Sequence, residues 1–226
     1  MSNLYPILSI FAALAAVSLL VWSAIWLQRR EVRKRRESVE RKAQSLRYHY
    51  TPEGDAALVA ELGQLIPRTH KRHEKAANIL RGERHGLPFE MIDYSFVTGS
   101  GKSTHHHKET VVRCRMGSAI PDFYLRPEHI FDKIGDFIGW HDIDFDHRPE
   151  FSKRYFLKGT NDLEIRRLFT DRVLTQLESD PENYCVDGHG DSLLVHRGRG
   201  YKFVEAEELE SLLDKCLAIV AAFRAR

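Results

Sequence analysis

The chain has 226 residues, of which 42% are hydrophobic and 29% are charged, and its formal net charge is +2. Residues 28–48 contain nine Lys or Arg and three Glu, a local charge of +6, while residues 1–27 have no charged side chain, so subtracting +6 from +2 leaves −4 for the rest. A body with net negative charge argues against nucleic-acid binding. Three scattered cysteines without CxxC spacing argue against a disulfide framework or a cysteine zinc site.

The predicted element that organises the chain is the uncharged apolar stretch at residues 4–27. As a helix it would extend about 36 Å, which exceeds the roughly 30 Å of a bilayer's hydrocarbon core. We expect one N-terminal transmembrane helix that is retained as an anchor. A cleaved signal peptide and a buried core helix are the alternatives, and the signal peptide is disfavoured because no basic segment precedes Leu4.

The residues that flank the apolar stretch predict its orientation. Basic side chains close to a span are retained on the cytoplasmic side, and tryptophan favours the membrane–water interface. We therefore expect a single-pass protein of the plasma (inner) membrane with its C-terminal domain in the cytoplasm. The predicted membrane-interface residues are Trp22, Trp26, Arg29, Arg30, Arg33, Lys34, Arg35 and Arg36.

The remaining sequence predicts an α+β organisation. It consists of the anchor at residues 1–27, a basic helical stem at 28–50, a helical linker region at 51–80 and a soluble α+β domain at 81–226. Short links between strands favour an antiparallel sheet, which a partly closed barrel similar to pleckstrin-homology folds, with five to seven strands and a C-terminal helix, would satisfy. The apolar patterns place helices at 56–65, 129–138, 161–179 (broken near 170) and 205–224, and strands at 89–98, 110–116, 123–126, 141–147, 151–157, 184–186 and 193–195.

Residues 99–104 resemble the end of a phosphate-binding loop, with the order Gly-Ser-Gly-Lys-Ser-Thr. The complete motif needs a glycine at the position of Phe96 and a helix after the loop. This chain has neither, because a predicted strand follows. We therefore predict a hairpin tip and expect no nucleotide binding.

A second pattern raises the question of a metal site. The candidate ligands are His105, His107, Asp142, Asp144 and Asp146. The three aspartates would share one face of a strand about 7 Å apart, so one ion could not contact all three without a bend. The spacing also lacks the glycine and the twelfth-position carboxylate of a calcium loop. A solvated edge strand is the favoured interpretation, and a metal site that joins both stretches is the alternative.

Part of the chain, roughly residues 81–226, resembles bacterial single-span membrane proteins to which no activity is assigned. The resemblance implies a bacterial plasma membrane and transfers no catalytic residue. It is carried by Gly86-Leu87-Pro88-Phe89, Asp93-Tyr94, Gly99-Ser100-Gly101-Lys102, Pro121-Asp122-Phe123, Leu125-Arg126-Pro127-Glu128, Asp142-Ile143-Asp144-Phe145 and Pro149-Glu150-Phe151-Ser152.

The sequence leaves two functions open. The first is a non-enzymatic interaction or accessory module that the anchor holds at the bilayer, where it binds a protein partner or a membrane complex and uses no cofactor. The absence of a GxSxG, HExxH, complete Walker or kinase motif favours this function. The alternative is a membrane-tethered, metal-dependent enzyme that uses residues 105–107 and 142–146.

Overall fold

The structure is a computed structural model that describes residues 4–66, 71–128, 141–198, 200 and 202–224, with side chains described from residue 14 onward except at positions 102, 141 and 142. It contains six α-helices and nine strands within these residues. The helices are α1 (Leu4–Ser45), α2 (Ala56–Leu65), α3 (Pro149–Arg154), α4 (Asp162–Leu168), α5 (Asp171–Ser179) and α6 (Leu209–Arg224). The strands are β1 (His49–Glu53), β2 (Arg72–Arg84), β3 (Leu87–Thr98), β4 (His105–Arg115), β5 (Phe123–Pro127), β6 (His141–Asp142), β7 (Tyr155–Gly159), β8 (Cys185–His189) and β9 (Ser192–His196).

The first helix runs without interruption from the apolar stretch into the basic stem. It has 42 residues, which corresponds to about 63 Å. The helix has no glycine or proline after Pro6 and includes most of the predicted stem at residues 28–50, whose last residues, His49 and Tyr50, begin β1. The helix ends where Arg47 adopts a left-handed φ of 59° and the amide of Tyr48 bonds to the carbonyl of Ala43, a common helix-ending motif that turns the chain into β1.

Among the helices and side chains that the structure describes, none is both long enough and apolar enough to cross a membrane. The side chains of residues 1–13, and so the first part of the predicted span, lie outside the described ones.

One antiparallel sheet contains all nine described strands, in the order β1-β2-β3-β4-β9-β8-β5-β7-β6. The prediction of an antiparallel sheet is therefore confirmed, with nine strands rather than five to seven. The edge strands β1 and β6 do not pair with each other among the described residues, so the sheet shows no closure into a barrel. Two of its strands, β1 and β2, lie largely within the predicted linker at residues 51–80 and pair with each other and with β3.

Both faces of the sheet are covered, because alternate residues of a strand point to opposite faces. In β3, Met91 belongs to the larger apolar cluster and Ile92 to the smaller one. The larger cluster packs against α6 and against Val39 and Ala43 of α1. The smaller cluster packs against α2 through its buried leucines, Leu58, Leu62 and Leu65. The stem of α1 is thus part of the core.

Two predicted strands have a different structure. The first half of residues 151–157 is the helix α3, which begins at Pro149, a residue well suited to the first turn of a helix. Of residues 141–147 only His141 and Asp142 pair with β7. The chain then leaves the sheet because the buried side chains of Ile143 and Phe145 insert into the core.

The other predicted elements can be compared directly. The helix predicted at 129–138 lies outside the described residues. The break between α4 and α5 near Thr170, the helix 56–65 and the hairpin that β8 and β9 form are confirmed. The C-terminal helix is also confirmed, although its first turn, Ala206–Glu208, is a 3-10 turn.

Candidate functional site

From residue 14 to residue 27, the side chains of α1 are largely uncovered by the other residues that the structure describes. Leu19, Leu20, Val21 and Trp22 are 70%, 68%, 53% and 67% exposed. Consecutive residues of a helix point about 100° apart, so these four side chains already surround the helix axis. Apolar side chains are thus exposed on every side of this part of the helix, and burial of each one in an apolar surrounding would contribute about 1.5–3 kcal/mol.

The stem of α1 is attached to the sheet by an ion pair. Arg35 donates from Nε to Oδ2 of Asp93 and from Nη2 to Oδ1, each at 2.9 Å. Its third nitrogen, Nη1, donates to the carbonyl of Val204 at 2.6 Å, and the guanidinium lies 5.6 Å from the ring centroid of Phe203. The Asp93 side chain is 2% exposed. Bidentate pairing of this kind fixes geometry as well as charge, so α1 has one orientation relative to the sheet.

A β-bulge supplies a further partner for Asp93. The pairing of β2 with β3 shifts register near Asn78, which has a left-handed φ of 50°, a conformation that asparagine tolerates better than most residues. Nδ2 of Asn78 donates to Oδ2 of Asp93 at 3.0 Å, and its Oδ1 accepts from the hydroxyl of Tyr50 at 2.9 Å. The hydroxyl of Thr110 donates to Oδ1 of Asp93 at 2.8 Å. Each carboxylate oxygen of Asp93 therefore has two donors.

The predicted membrane-interface residues separate into two groups. Trp22, Trp26, Arg29, Arg30, Arg33, Lys34 and Arg36 are exposed. The guanidinium of Arg30 lies over the ring of Trp26, with 5.4 Å between its carbon and the ring centroid. Arg35 differs, because it turns toward the sheet and pairs with Asp93. The charge of Arg35 is therefore paired with Asp93 inside the protein, and its role at a lipid surface stays a prediction.

A groove lies beside this ion pair, between α1, the sheet and the loop before α6, and its volume is about 910 Å³. We call it the stem groove. Its wall on α1 includes Val32, and its opposite wall on the loop includes Lys202 and Phe203. The sheet forms its floor with residues of β2, β3 and β4, which are Lys75, Ala77, Asn78, Asp93, Ser95 and Lys108.

A row of four buried charged side chains crosses the centre of the sheet, one from each of four neighbouring strands: Glu109 on β4, His196 on β9, Asp187 on β8 and Arg126 on β5. The imidazole of His196 contacts the carboxylate of Glu109 through Nδ1, and its Nε2 lies 3.2 Å from Oδ2 of Asp187. Arg126 lies 2.6 Å from the other oxygen of Asp187. The four charges sum to zero when His196 is protonated.

The pKa of His196 follows from these contacts. Burial by itself would lower it, but the carboxylates of Glu109 and Asp187 outweigh burial and raise the pKa above its ordinary value. With both ring nitrogens bonded to carboxylates, His196 has no nitrogen with which to accept a substrate's proton, as a general base must. The four charged groups of the row are therefore engaged with one another inside the sheet.

The metal candidates fall into two separate places. His105 and His107 begin β4, whereas Asp142 lies on β6, five steps away in the sheet order. Neighbouring strands are about 4.8 Å apart, so the separation along the sheet is about 24 Å. His107 stacks on Phe96 with 4.6 Å between ring centroids, and Asp144 and Asp146 are exposed after β6. Within the described residues, no group of three potential ligands is arranged to hold a metal ion.

The stretch at residues 99–104 is the tip of the hairpin that joins β3 to β4, as predicted. Its centre is a single 3-10 turn, Gly101–Ser103, and the next residue with regular structure is already in β4. Phosphate-binding loops depend on the amides at the start of a following α-helix. The tip has no such helix, so the likeness to a phosphate-binding loop is confined to its sequence.

Sequence reasoning missed Asp93 and its partners Asn78 and Thr110. A usable signal existed for Asp93, because it is the charged residue at the centre of an apolar and aromatic strand, and a charge at such a position is normally paired. The sequence contains no feature that identifies Arg35 as the residue that pairs with Asp93. Arg35 is one of nine basic residues within residues 28–48, and only the rotation of α1 selects it.

Comparisons with known proteins give one match. No protein-family model and no curated protein matches the chain. Among solved structures, the crystal structure of the mycobacterial trehalose monomycolate transport factor A, TtfA, is similar, with a TM-score of 0.53 and 16% sequence identity over 86% of this chain and 93% of that chain. At this identity the likeness shows a shared α+β fold with an antiparallel sheet and a C-terminal helix.

Proposed function

We propose that the chain is a membrane-anchored accessory module without catalytic activity, which holds its α+β domain beneath the bilayer and binds a protein partner there. In this proposal residues 4–27 span the plasma (inner) membrane and the C-terminal domain lies in the cytoplasm. The observation that carries it is the contrast within α1: the described side chains of residues 14–27 are mostly apolar and exposed, whereas the stem packs on the sheet.

In this proposal the ion pair between Arg35 and Asp93 fixes the orientation of the domain relative to the membrane. A flexible tether would keep the domain near the membrane but leave its orientation free. Arg35 belongs to the same helix as the apolar stretch, and it bonds to Asp93 on the sheet. The domain would therefore keep a fixed direction relative to the bilayer. A fixed orientation is useful to a protein that must present one surface to a partner in the same membrane.

The comparison supports an accessory role in a limited way. The protein with the similar fold is named a transport factor, and we extend only the idea of an accessory factor to this chain. Since unrelated functions often share a fold, the cargo of that protein is not part of the proposal. The separation of His105 and His107 from Asp142 leaves the metal-dependent alternative without the joint site that it needs.

Membrane attachment is tested by extraction of membranes with alkaline carbonate, which releases peripheral proteins. The wild-type chain should remain in the pellet. Leu19→Glu combined with Leu20→Glu should release it, since each charge at the centre of a span costs roughly 2.5–3.5 kcal/mol. Leu163→Glu is the matched control, because Leu163 is also an exposed leucine, 60% exposed, but lies on α4. Release of the wild-type chain by carbonate would contradict the proposal.

Orientation is tested by fusing reporters to the C-terminus. We expect a green fluorescent protein fusion to be fluorescent and an alkaline phosphatase fusion to be inactive, because the phosphatase needs an oxidising compartment for its disulfides. The reverse pattern would place the domain outside the cytoplasm and overturn this part of the proposal.

A further inference from the structure

We infer that the end of the sheet around the hairpin tip is a second membrane contact, which binds the anionic headgroups of the bilayer that α1 crosses. We call this end the tip surface. It consists of residues 71–73, around the start of β2, and of residues 95–108, from the end of β3 to the start of β4. The inference rests on the proposed function, because it requires the apolar part of α1 to lie in the bilayer.

The tip surface lies toward the apolar part of α1, because α1 and β3 run in opposite directions. Arg35 of α1 bonds to Asp93 of β3. After the C-terminal end of α1, the ring of Tyr48 packs edge-on against Phe89, four residues before Asp93, with 4.9 Å between ring centroids. In the other direction along α1, toward its apolar part, the neighbouring residues of β3 are therefore those after Asp93, which lead to the hairpin tip.

The lengths of the two elements bring the tip to the level of the headgroups. Arg35 lies eight residues after Leu27, which is about 12 Å of helix. Headgroups extend about 5–7 Å beyond the hydrocarbon core, so their outer edge lies only about 6 Å from the level of Arg35. Gly99 lies six residues after Asp93, which is about 20 Å of extended chain. The tip therefore reaches the headgroups even if β3 is steeply inclined to α1.

The charges of the tip surface are all positive. Its residues include Lys71, Arg72, Lys102 and Lys108 and no Asp or Glu, which gives a net charge of +4. Residues 49–226 have a net charge of −4, so subtracting the +4 of the tip surface leaves −8 for the rest of the domain. The domain thus has its positive end toward the membrane, where the anionic lipids of the cytoplasmic leaflet would attract it.

The acidic side chains closest in sequence to the tip surface are paired within the domain. Glu74 lies 3.3 Å from Nζ of Lys71 and accepts a hydrogen bond from the hydroxyl of Tyr94. Glu109 is buried against His196. Glu74 therefore compensates Lys71, and the tip surface keeps a net charge of +3.

The glutamates of the stem groove, apart from Glu31, lie further from the membrane than the tip surface. Glu37 is two residues beyond Arg35 along α1. Glu205 and Glu207 follow Val204, whose carbonyl accepts from Arg35. From there the chain continues into α6, whose first turn pairs with the last turn of α1. These glutamates are therefore at the level of Arg35 or beyond it, away from the headgroups.

The first turns of the stem add to the positive charge at the membrane. Residues 29–36 have six basic side chains and one acidic side chain, that of Glu31. All six basic side chains except that of Arg35 are exposed. The stem and the tip surface would thus both present positive charge to the same leaflet.

The composition of the hairpin tip suits a fluid surface. Residues 99–104 are glycine, serine, threonine and lysine, without an apolar side chain that a protein pocket would bind. His105 and His106 follow and are exposed, and an imidazole has an apolar body with a polar end, which suits the headgroup layer. An acidic protein could also be attracted, but the bilayer is the one partner that α1 itself holds at this end of the domain.

The test places a fluorescent label at the tip of the full chain in lipid nanodiscs. Ser103→Cys accepts a thiol-reactive dye selectively, because the native Cys114, Cys185 and Cys216 are buried. A nitroxide on the lipid headgroups quenches dye that lies close to them. Glu83→Cys is the control, since Glu83 is exposed at the opposite end of β2.

We expect strong quenching at position 103 in discs of phosphatidylglycerol mixed with phosphatidylcholine, and weak quenching in phosphatidylcholine alone. Quenching at position 83 should be weak in both. Quenching at position 103 that is no stronger than at position 83 would overturn the inference. Equally strong quenching in both lipids would also overturn it, because the contact would not depend on anionic headgroups.

Charge reversal at the tip supplies a second readout. Lys102→Glu with Lys108→Glu should lower the ratio of bound to free tip by at least about tenfold, and so reduce quenching at position 103 to the level in phosphatidylcholine. Lys153→Glu with Arg167→Glu is the matched control, since it changes the net charge equally at exposed positions on α3 and α4. This control should leave the quenching unchanged. Strong quenching that persists in the tip variant would refute the recognition of anionic headgroups.

A salt titration distinguishes the bilayer surface from a site for free phosphate. Quenching should fall as sodium chloride is raised from about 0.1 M to 1 M, because the screening length decreases from about 10 Å to 3 Å. Sodium phosphate at the same ionic strength should have the same effect. A much larger effect of phosphate would show a site for the free anion and would contradict the inference.

The carbonate extraction separates this inference from the proposed function. If the wild-type chain remains in the membrane and the label at position 103 is not quenched, the inference is wrong and the proposed function stands. If carbonate extracts the wild-type chain, the proposed function fails first and the inference fails with it.

Discussion

Arg35 and Asp93, which lie 58 residues apart in the chain, form a bidentate ion pair between α1 and β3. The pair attaches the helix that carries the apolar stretch to the sheet. The β-bulge at Asn78, where φ is 50°, brings the side-chain amide of Asn78 to the same carboxylate.

Removal of Asp93 should destabilise the protein. Asp93→Ala leaves the guanidinium of Arg35, which is 16% exposed, without its counter-charge, and breaking a largely buried pair costs roughly 3–5 kcal/mol. We expect a loss of about this size in the free energy of unfolding, measured by urea denaturation of the full chain in detergent. Lys153→Ala, which breaks the exposed pair with Glu150, should cost less than about 1 kcal/mol. Equal effects of the two changes would show that the Arg35–Asp93 pair does not attach the stem.

Stability should fall as the pH rises above neutrality, because of His196. The folded-state pKa of His196 is raised, so its contribution is fully present below the unfolded value of about 6.5 and is lost as the pH rises through the folded value. Urea midpoints measured between about pH 6.5 and 9 should therefore decrease. His196→Gln should lower the stability and weaken this dependence, whereas His106→Gln, at an exposed position, should change neither. A flat profile in the wild type would contradict the protonated row.

The segment after β6 should be sensitive at its apolar positions and tolerant at its aspartates. Phe145 is 4% exposed and packs edge-on against Phe151, with 5.6 Å between ring centroids, so Phe145→Ala should cost about 3–5 kcal/mol. Asp144→Asn and Asp146→Asn should stay within about 0.5 kcal/mol, because both side chains are exposed. Thermal unfolding by circular dichroism distinguishes these outcomes. Stabilisation by added Ca²⁺ or Mn²⁺ that Asp144→Asn abolishes would instead revive the metal site.

Nucleotide should not bind at the hairpin tip. Calorimetric titration with ATP and magnesium should give no saturable heat, and Lys102→Ala should unfold at the same temperature as the wild type. Gly99→Ala should destabilise the tip, because Gly99 has a left-handed φ of 75° and an added Cβ would collide with the carbonyl of Ser103. Binding of ATP that is lost in Lys102→Ala would show that the loop acts on phosphate without a following helix.

Local patterns in the sequence determined the elements that are stabilised by near neighbours. The helix from Ala56 to Leu65 matches its prediction at both ends, since Asp55 caps it with a bond to the amide of Leu58 and its leucines share one face. The break before α5 and the hairpin of β8 and β9 follow from similar short-range signals. The apolar character of residues 4–27 is likewise a property of the sequence alone.

Only the tertiary structure decided which of several similar residues is buried or paired and which is exposed. Arg33, Lys34, Arg35 and Arg36 are indistinguishable by sequence, yet the rotation of α1 that buries Val39 and Ala43 directs Arg35 to Asp93 and leaves the other three exposed. Phe145 left its predicted strand for the same kind of reason, because its ring is buried against the rings of Phe151 and Phe169 in the core. Contacts between segments far apart in sequence depend on how apolar faces pack, and no local pattern encodes that packing.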